Sequence, residues 1–271
     1  GVVSENAQLG LTTVILKTSD GASGVDSGNQ KEVKFRVRVL DVDFEEGKSE
    51  EANRSSITVE TTIGETIPDA NHYLTVNDGT TRQDQGNFPE GMMFRYVTRD
   101  STNNVRETLS YDTAGQYTVK AIAYFPQNYA GITDYGNPES GRTADLNGRR
   151  YKEKTIVFRV KPNMPTITPN DKGDVVITNR NENGTKIVTG EFTPQKGTNS
   201  QPVTYTATKN GSTWSVTTSS PDIRLTIDPS TGTITIKDKF VKDGTQVTAK
   251  VRSADGNTES AVATGVAGEG D

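Results

Sequence analysis

In residues 31–40, KEVKFRVRVL, Val33, Phe35, Val37 and Val39 fall at every second position, and Lys34, Arg36 and Arg38 take the places between. Successive side chains of an extended chain point to opposite faces, whereas a helix returns to one face after about 3.6 residues, so a period of two commits the segment to a half-buried strand. The same alternation marks residues 11–17, 56–63, 72–76, 94–100 and 155–161, then 174–178, 186–192, 203–209, 212–218, 223–228, 233–237 and 246–253. Asn183-Gly184, Asn210-Gly211, Thr231-Gly232 and Asp243-Gly244 interrupt the later runs with residues that let the backbone reverse. A chain so patterned is predicted to be all-β, with almost no helix.

Two domains of ordinary size fit within 271 residues, each able to bury its own core. Pro162, Pro165 and Pro169 favour extended backbone and predict a short, stiff connector that divides the chain into residues 1–163 and 164–271. The later half, with seven short strands, reads as a β-sandwich, Trp214 plugging its core and residues 258–271 forming a tail. In the earlier half, Asp-Thr-Ala-Gly-Gln-Tyr at 112–117 has the form of the corner that leads into a late strand of an immunoglobulin-like sandwich, where a tyrosine packs back on the turn. With Tyr117 inward on a strand over 116–125, Val119, Ala121 and Ala123 share its face, leaving Thr118, Lys120, Ile122 and Tyr124 on the other. The expected fold is two immunoglobulin-like β-sandwich domains in tandem.

Composition narrows the partners. A hydrophobic content of 31% and a mean hydropathy of -0.66 are low, but the ordered alternation of valine, isoleucine and threonine marks a polar β-protein and not a disordered chain. The net charge of -5, without a dense basic face, argues against nucleic acid or an anionic membrane. The absence of cysteine removes disulfides, thiol nucleophiles and cysteine metal sites, which suits an extracellular bacterial protein as well as a cytosolic one. No apolar run approaches the ~20 residues of a membrane helix, and no signal peptide is present. A start at Gly1 reads as that of an excised fragment whose export signal and anchor belong to other parts.

Catalytic patterns are lacking. The carboxylates Asp41, Asp43, Glu45, Glu46, Glu50 and Glu51 miss the spacing of a calcium loop and read as a solvated acidic loop. His72, the only histidine, has no serine or acid arranged for it and reads as a surface residue near a turn. There is no phosphate-cradling glycine motif and no triad, so no catalytic residue, metal ligand or cofactor is assigned. Two distant acids of a glycosidase are the one enzyme arrangement that such a sequence leaves open. A lysine–asparagine isopeptide crosslink is conceivable in a surface sandwich, but no pattern singles out a pair.

Residues 94–125 carry the binding candidates. Phe94, Tyr96 and Thr98 share one face and Arg95, Val97 and Arg99 the other, and Asn103-Asn104 marks the following turn. Val97-Thr98-Arg99-Asp100 resembles the apolar-Thr-Arg-X motif of the Siglec-like binding regions in serine-rich repeat adhesins of oral streptococci. The resemblance implies that residues 1–163 are a V-set-like, Siglec-type domain. That family carries the motif on strand F, whereas the corner places strand F at 116–125, where Tyr117-Thr118-Val119-Lys120 has valine at the arginine position. Two cations are therefore candidates: Arg99 by the literal motif and Lys120 by topology. Thr98, Asp100, Tyr117, Thr118 and Tyr124 join them as ligand-binding candidates. So do Tyr129 and Asp134, which sit in the long aperiodic connection 126–152 and suit sugar faces and hydroxyls.

What the resemblance implies is a non-catalytic adhesin module that binds sialylated O-glycans on mucin-like host glycoproteins, platelet glycoprotein Ib and salivary mucins among them. It would act as a monomer at the bacterial cell surface, cell-wall anchored through parts outside this fragment, without nucleic acid, membrane insertion, metal or cofactor. A sialic acid carboxylate needs a cation or convergent N–H donors, and an arginine can meet it with two parallel bonds where lysine offers a point charge. Loops 77–91, 111–115 and 126–150 would select among glycans, and the second domain would be a support that binds none. The other class of reading is a structural stalk or protein-binding spacer, with the arginines as solvated decoration of the strands.

Overall fold

The computed structural model describes residues 10–18, 31–39, 41–44, 56–77, 82–83, 93–98, 105–124, 151–195 and 201–268. Among them no α-helix occurs; strands are joined by turns and by short 3-10 segments at Ala70–Tyr73 and Asp238–Phe240. The strands of the earlier half are β1 (Gly10–Thr18), β2 (Lys31–Val39), β3 (Asp41–Phe44), β4 (Ser56–Thr62), β5 (Leu74–Asn77), β6 (Arg82–Gln83), β7 (Met93–Thr98), β8 (Val105–Arg106), β9 (Gly115–Tyr124) and β10 (Tyr151–Lys161). Those of the later half are β11 (Thr166–Pro169), β12 (Val175–Thr178), β13 (Thr185–Phe192), β14 (Val203–Asn210), β15 (Thr213–Thr218), β16 (Thr226–Ile227), β17 (Ile234–Ile236), β18 (Gln246–Ser253) and β19 (Ala263–Val266). By contacts the chain forms two units, Gly1–Ile57 with Pro68–Thr108 and Val119–Ile156, and Thr58–Ile67 with Leu109–Thr118 and Val157–Asp271. The division passes through β4, β9 and β10, which run from one unit into the other.

In the first unit β1 and β2 form an antiparallel ribbon in which Leu16 faces Val33. Val33, expected inward, is 50% exposed, because a ribbon of two strands has no second layer of its own to cover it. The acidic stretch read as a loop begins as β3, whose Asp41 and Asp43 pair with Asn77 and Thr75 of β5. β5 also pairs with β6, with Val76 opposite Gln83 and Asn77 opposite Arg82. Residues 72–76 are not one strand: Ala70–Tyr73 is a 3-10 turn that buries Ala70 and Tyr73, and the strand starts at Leu74. His72 is exposed, edge-on to Tyr73 at 5.1 Å. β8 is two residues long, Val105 opposite Val97 and Arg106 opposite Tyr96 of β7. A five-stranded sheet of order β4-β10-β9-β7-β8 carries the binding candidates.

The second unit contains a sandwich of two sheets, β11-β12-β17-β16 and β15-β14-β13-β18-β19. Alternate residues of both sheets, among them Val175, Ile177, Ile234, Val188, Ala207 and Val251, meet in one core, as period-two strands must when each has one wet face. Trp214 lies in that core at 2% exposure. Its indole Nε1 donates to Asn181 Oδ1 (3.2 Å), which also accepts from Lys209 Nζ (3.0 Å). Holding that acceptor puts Asn181 in the left-handed region at φ 48°, which asparagine tolerates better than most residues. Gly232, at φ 75°, lies where a Cβ would stand 2.8 Å from the indole.

Two readings of this half are corrected. The proline-rich connector is itself β11, with Thr166–Pro169 paired to β12 and Pro162 and Pro165 buried; an edge strand accepts proline because its outer N–H needs no ladder partner. The tail is also part of the fold: β19 pairs with β18, Ala267 joins the core, and Thr258 and Ser260 are buried. Small residues carry this closing strand, since Gly265 lies where a Cβ would meet Ile167 at 2.5 Å, and that composition hid it from a search for alternating large residues.

Candidate functional site

The register of β7 against β9 decides which candidates are neighbours. Thr98 pairs with Val119, Val97 with Lys120, Tyr96 with Ala121 and Arg95 with Ile122. Directly opposed residues of an antiparallel pair share a face, so Phe94, Tyr96 and Thr98 lie with Ala123, Ala121 and Val119. This face is inward: Tyr96 and Ala121 are fully buried, and Tyr96 Oη donates to the Pro68 carbonyl at 2.6 Å. Val97, Lys120, Arg95 and Ile122 occupy the opposite face. Lys120 is half-buried there, but Ile122 is fully buried. The expectation that 118, 120, 122 and 124 all look outward therefore fails at Ile122, because β9 is a central strand covered on both faces at that point.

At its other end, within the second unit, β9 begins in the predicted tyrosine corner. Tyr117 Oη donates to the Thr113 carbonyl at 2.8 Å, and its ring stacks on Tyr111 at 4.3 Å and 23°. Tyr111 in turn tilts against Phe158 at 5.7 Å. Burial pushes the Tyr117 phenol above its ordinary pKa, and the nearby Asp255 and Asp112 carboxylates push it further. The Tyr117 hydroxyl is engaged in the corner by its bond to Thr113. Thr118, beside it, is exposed.

Asp255 is a residue that sequence reasoning passed over. Its Oδ2 accepts from the Gln116 N–H (2.9 Å), and its Oδ1 accepts from Ser253 Oγ (2.6 Å) and the Asn257 N–H (2.9 Å). Partial burial acts to raise its pKa, but the donors from Ser253, Asn257 and Gln116 outweigh that and hold it below the ordinary carboxylate value. Gly115 is the reason the carboxylate can approach: at φ 149°, a Cβ there would stand 2.6 Å from Asp255 Oδ2. Thr258 Oγ1 donates to the Val160 carbonyl and Arg159 Nη2 to that of Asn257, both at 2.8 Å. The available signal was only the Asp-Gly-Asn turn at 255–257, whose partner lies 139 positions away in the chain.

Of the remaining candidates, Tyr124 pairs with Met93 in the ladder, and Arg99, Asp100, Tyr129 and Asp134 lie outside the described residues. Among the described residues no three acidic, histidine or cysteine side chains gather as a metal site would require. The positioned set is consequently Thr98 and Lys120 on one strand pair of the first unit, with the motif running on from Thr98 to Arg99 in the sequence. No protein-family model matches the chain, and no curated protein matches it either.

Proposed function

We propose that the chain is a non-catalytic module of a bacterial surface adhesin, built of immunoglobulin-like sandwiches, which binds sialylated host glycans through a cation on the β7–β9 pair. The observation that carries the reading is the register. Thr98 of the Thr-Arg motif pairs with Val119, the neighbour of Lys120, so the threonine of the motif and the topological candidate belong to one pair of strands. A sialic acid carboxylate would be held by Arg99 or Lys120, leaving its sugar hydroxyls to neutral donors and acceptors. Small polar sites of this kind bind weakly singly, and repeated copies on a cell surface supply avidity.

The test is a glycan array on the whole chain, with Arg99→Ala and Lys120→Ala compared with the parent. Losing the true partner of a charged ligand group costs on the order of 2–3 kcal/mol, enough to abolish detectable binding at a weak site. An exposed cation without that role changes stability by less than about 0.5 kcal/mol when replaced. Loss in one variant alone identifies the cation, and retention in both removes the reading. The competing function, a stalk or protein-binding spacer, draws support from the second unit, where Asp255, Thr258 and Arg159 fasten residues distant in sequence. It becomes the leading reading if the parent binds no sialoglycan.

A further inference from the structure

One end of the second-unit sandwich carries a groove of about 790 Å³ that takes no part in the site above. Three stretches line it: Pro194 and Gln195 after β13 with Gln201 and Pro202 before β14, the turn that follows β15 at Ser219–Ile223, and the 3-10 segment after β17 with Lys239 and Phe240. The walls are fixed by their own bonds. The Gln195 N–H donates to the Phe240 carbonyl at 3.1 Å, and Ser219 Oγ accepts from the Thr204 N–H at 3.0 Å. Thr218 Oγ1 holds the turn at Ser219–Ile223 closed through the carbonyls of Ser220 (2.6 Å) and Ile223 (2.9 Å).

The rim of the groove presents polar side chains that are open to solvent and so to a ligand. Among the described residues, the side chains of Gln201, Ser220 and Asp222 have no hydrogen-bond partner. Lys239 Nζ stands 4.9 Å over the Phe240 ring without an ion-pair partner among the described residues. An amide, a hydroxyl, a carboxylate and an ammonium at one rim supply donors and acceptors together, as vicinal sugar hydroxyls require. Phe240, Ile223 and Pro221 offer an apolar wall for the C–H face of a pyranose. One positive and one negative side chain leave the rim without net charge, which favours a neutral ligand over an ionic one. The volume lies within the usual range for small-ligand sites.

We propose that this groove is a saccharide site for a neutral pyranose-containing glycan, separate from the sialoglycan site and lying in the half expected to be a mere support. The whole chain, isotopically labelled, is titrated with lactose and with chitobiose at about 10 mM, ten times the Kd of a weak millimolar site. The amide signals of Gln201, Ser220, Asp222 and Lys239 are expected to move with at least one of them. A Gln201→Ala/Asp222→Ala double variant, its spectrum otherwise unchanged, should bind about tenfold more weakly, while Arg99→Ala/Lys120→Ala should leave those shifts intact. If neither disaccharide moves the groove signals, or if the double variant binds as the parent does, the proposal is overturned. It is also overturned if a proline-rich peptide moves them and both sugars do not. Parallel titration with 3′-sialyllactose keeps the two sites apart: shifts at Thr98 and Lys120 without groove shifts uphold the sialoglycan reading alone, and lactose shifts at the groove without any sialic acid response uphold this one alone.

Discussion

The sandwich of β11–β19 and the β7–β9 ladder are both antiparallel sheets of period two, but they place their side chains under different constraints. In the sandwich the inward residues of the two sheets meet in one core, so Val175, Ile234 and Trp214 are closed off there. In the ladder β9 is covered on both faces at Ala121 and Ile122, and its first residues are held by the corner and by Asp255. Thr98, opposite Val119, and Lys120, opposite Val97, follow directly on that fastened end, half-buried and on opposite faces of the sheet.

The largest test of this contrast is Trp214→Ala. It removes the biggest fully enclosed side chain of the sandwich and one of the two donors to Asn181 Oδ1, and is expected to cost about 3–5 kcal/mol in a urea unfolding series. Gly190→Ala should be of comparable severity, because the added methyl would overlap the Thr248 carbonyl and the Tyr205 hydroxyl that is bonded to it. If either variant unfolded within about 1 kcal/mol of the parent, the sandwich would not be the close-packed region described.

Next in size is Gly115→Ala, expected to cost about 1–3 kcal/mol from backbone strain at φ 149° and from collision with Asp255 Oδ2. Asp255→Ala removes the collision partner. The double variant should therefore lose less than the sum of the single losses. Strict additivity would mean that the glycine is needed for its backbone alone.

The unequal legibility of the two regions has a physical cause. Residues 246–253 were readable to the residue because alternation and flanking turns are local signals, and Trp214 could be assigned to the core because a sandwich of polar strands needs large apolar plugs. The tyrosine corner was readable as a short pattern with a known geometry. β11 and β19 were not, since prolines and small residues disguise a strand whose pairing is set by its partners. Val33 was misread because alternation says which residues share a face but not whether a second layer covers it. In the candidate site, the faces of Tyr96 and Lys120 followed from alternation, but the pairing of Thr98 with Val119 and the engagement of Asp255 depend on long-range register. No local rule contains that information.

A smaller effect separates two candidates on one strand. Tyr117→Phe removes the bond to the Thr113 carbonyl and should cost about 1 kcal/mol in thermal or chemical unfolding, with sialoglycan binding unchanged. Thr118→Ala, at an exposed position, should alter stability by less than about 0.5 kcal/mol. Weakened binding in Tyr117→Phe at unchanged stability would place that hydroxyl at the site, on the fastened end of β9.

The least effect is expected from pH. Asp255 accepts three donors and its carboxyl is held below the ordinary value near 4. A carboxylate with a depressed folded pKa contributes stability above its unfolded pKa and loses that contribution as pH falls through its folded pKa. Asp255→Asn keeps the shape but cannot ionise, so the parent should melt higher than the variant at pH 7 and the gap should close as pH falls below about 4. Because Asp255 is exposed and solvent screens such a group, the gap at pH 7 should be only about 1–3 °C. Differential scanning calorimetry of both proteins at pH 7, 4 and 3 measures it. A gap that stayed constant across that range would mean that the charge of Asp255 is immaterial and that shape alone holds the corner; a gap that widened on acidification would show the carboxylate to be destabilised by the fold, opposite to the arrangement of its three donors.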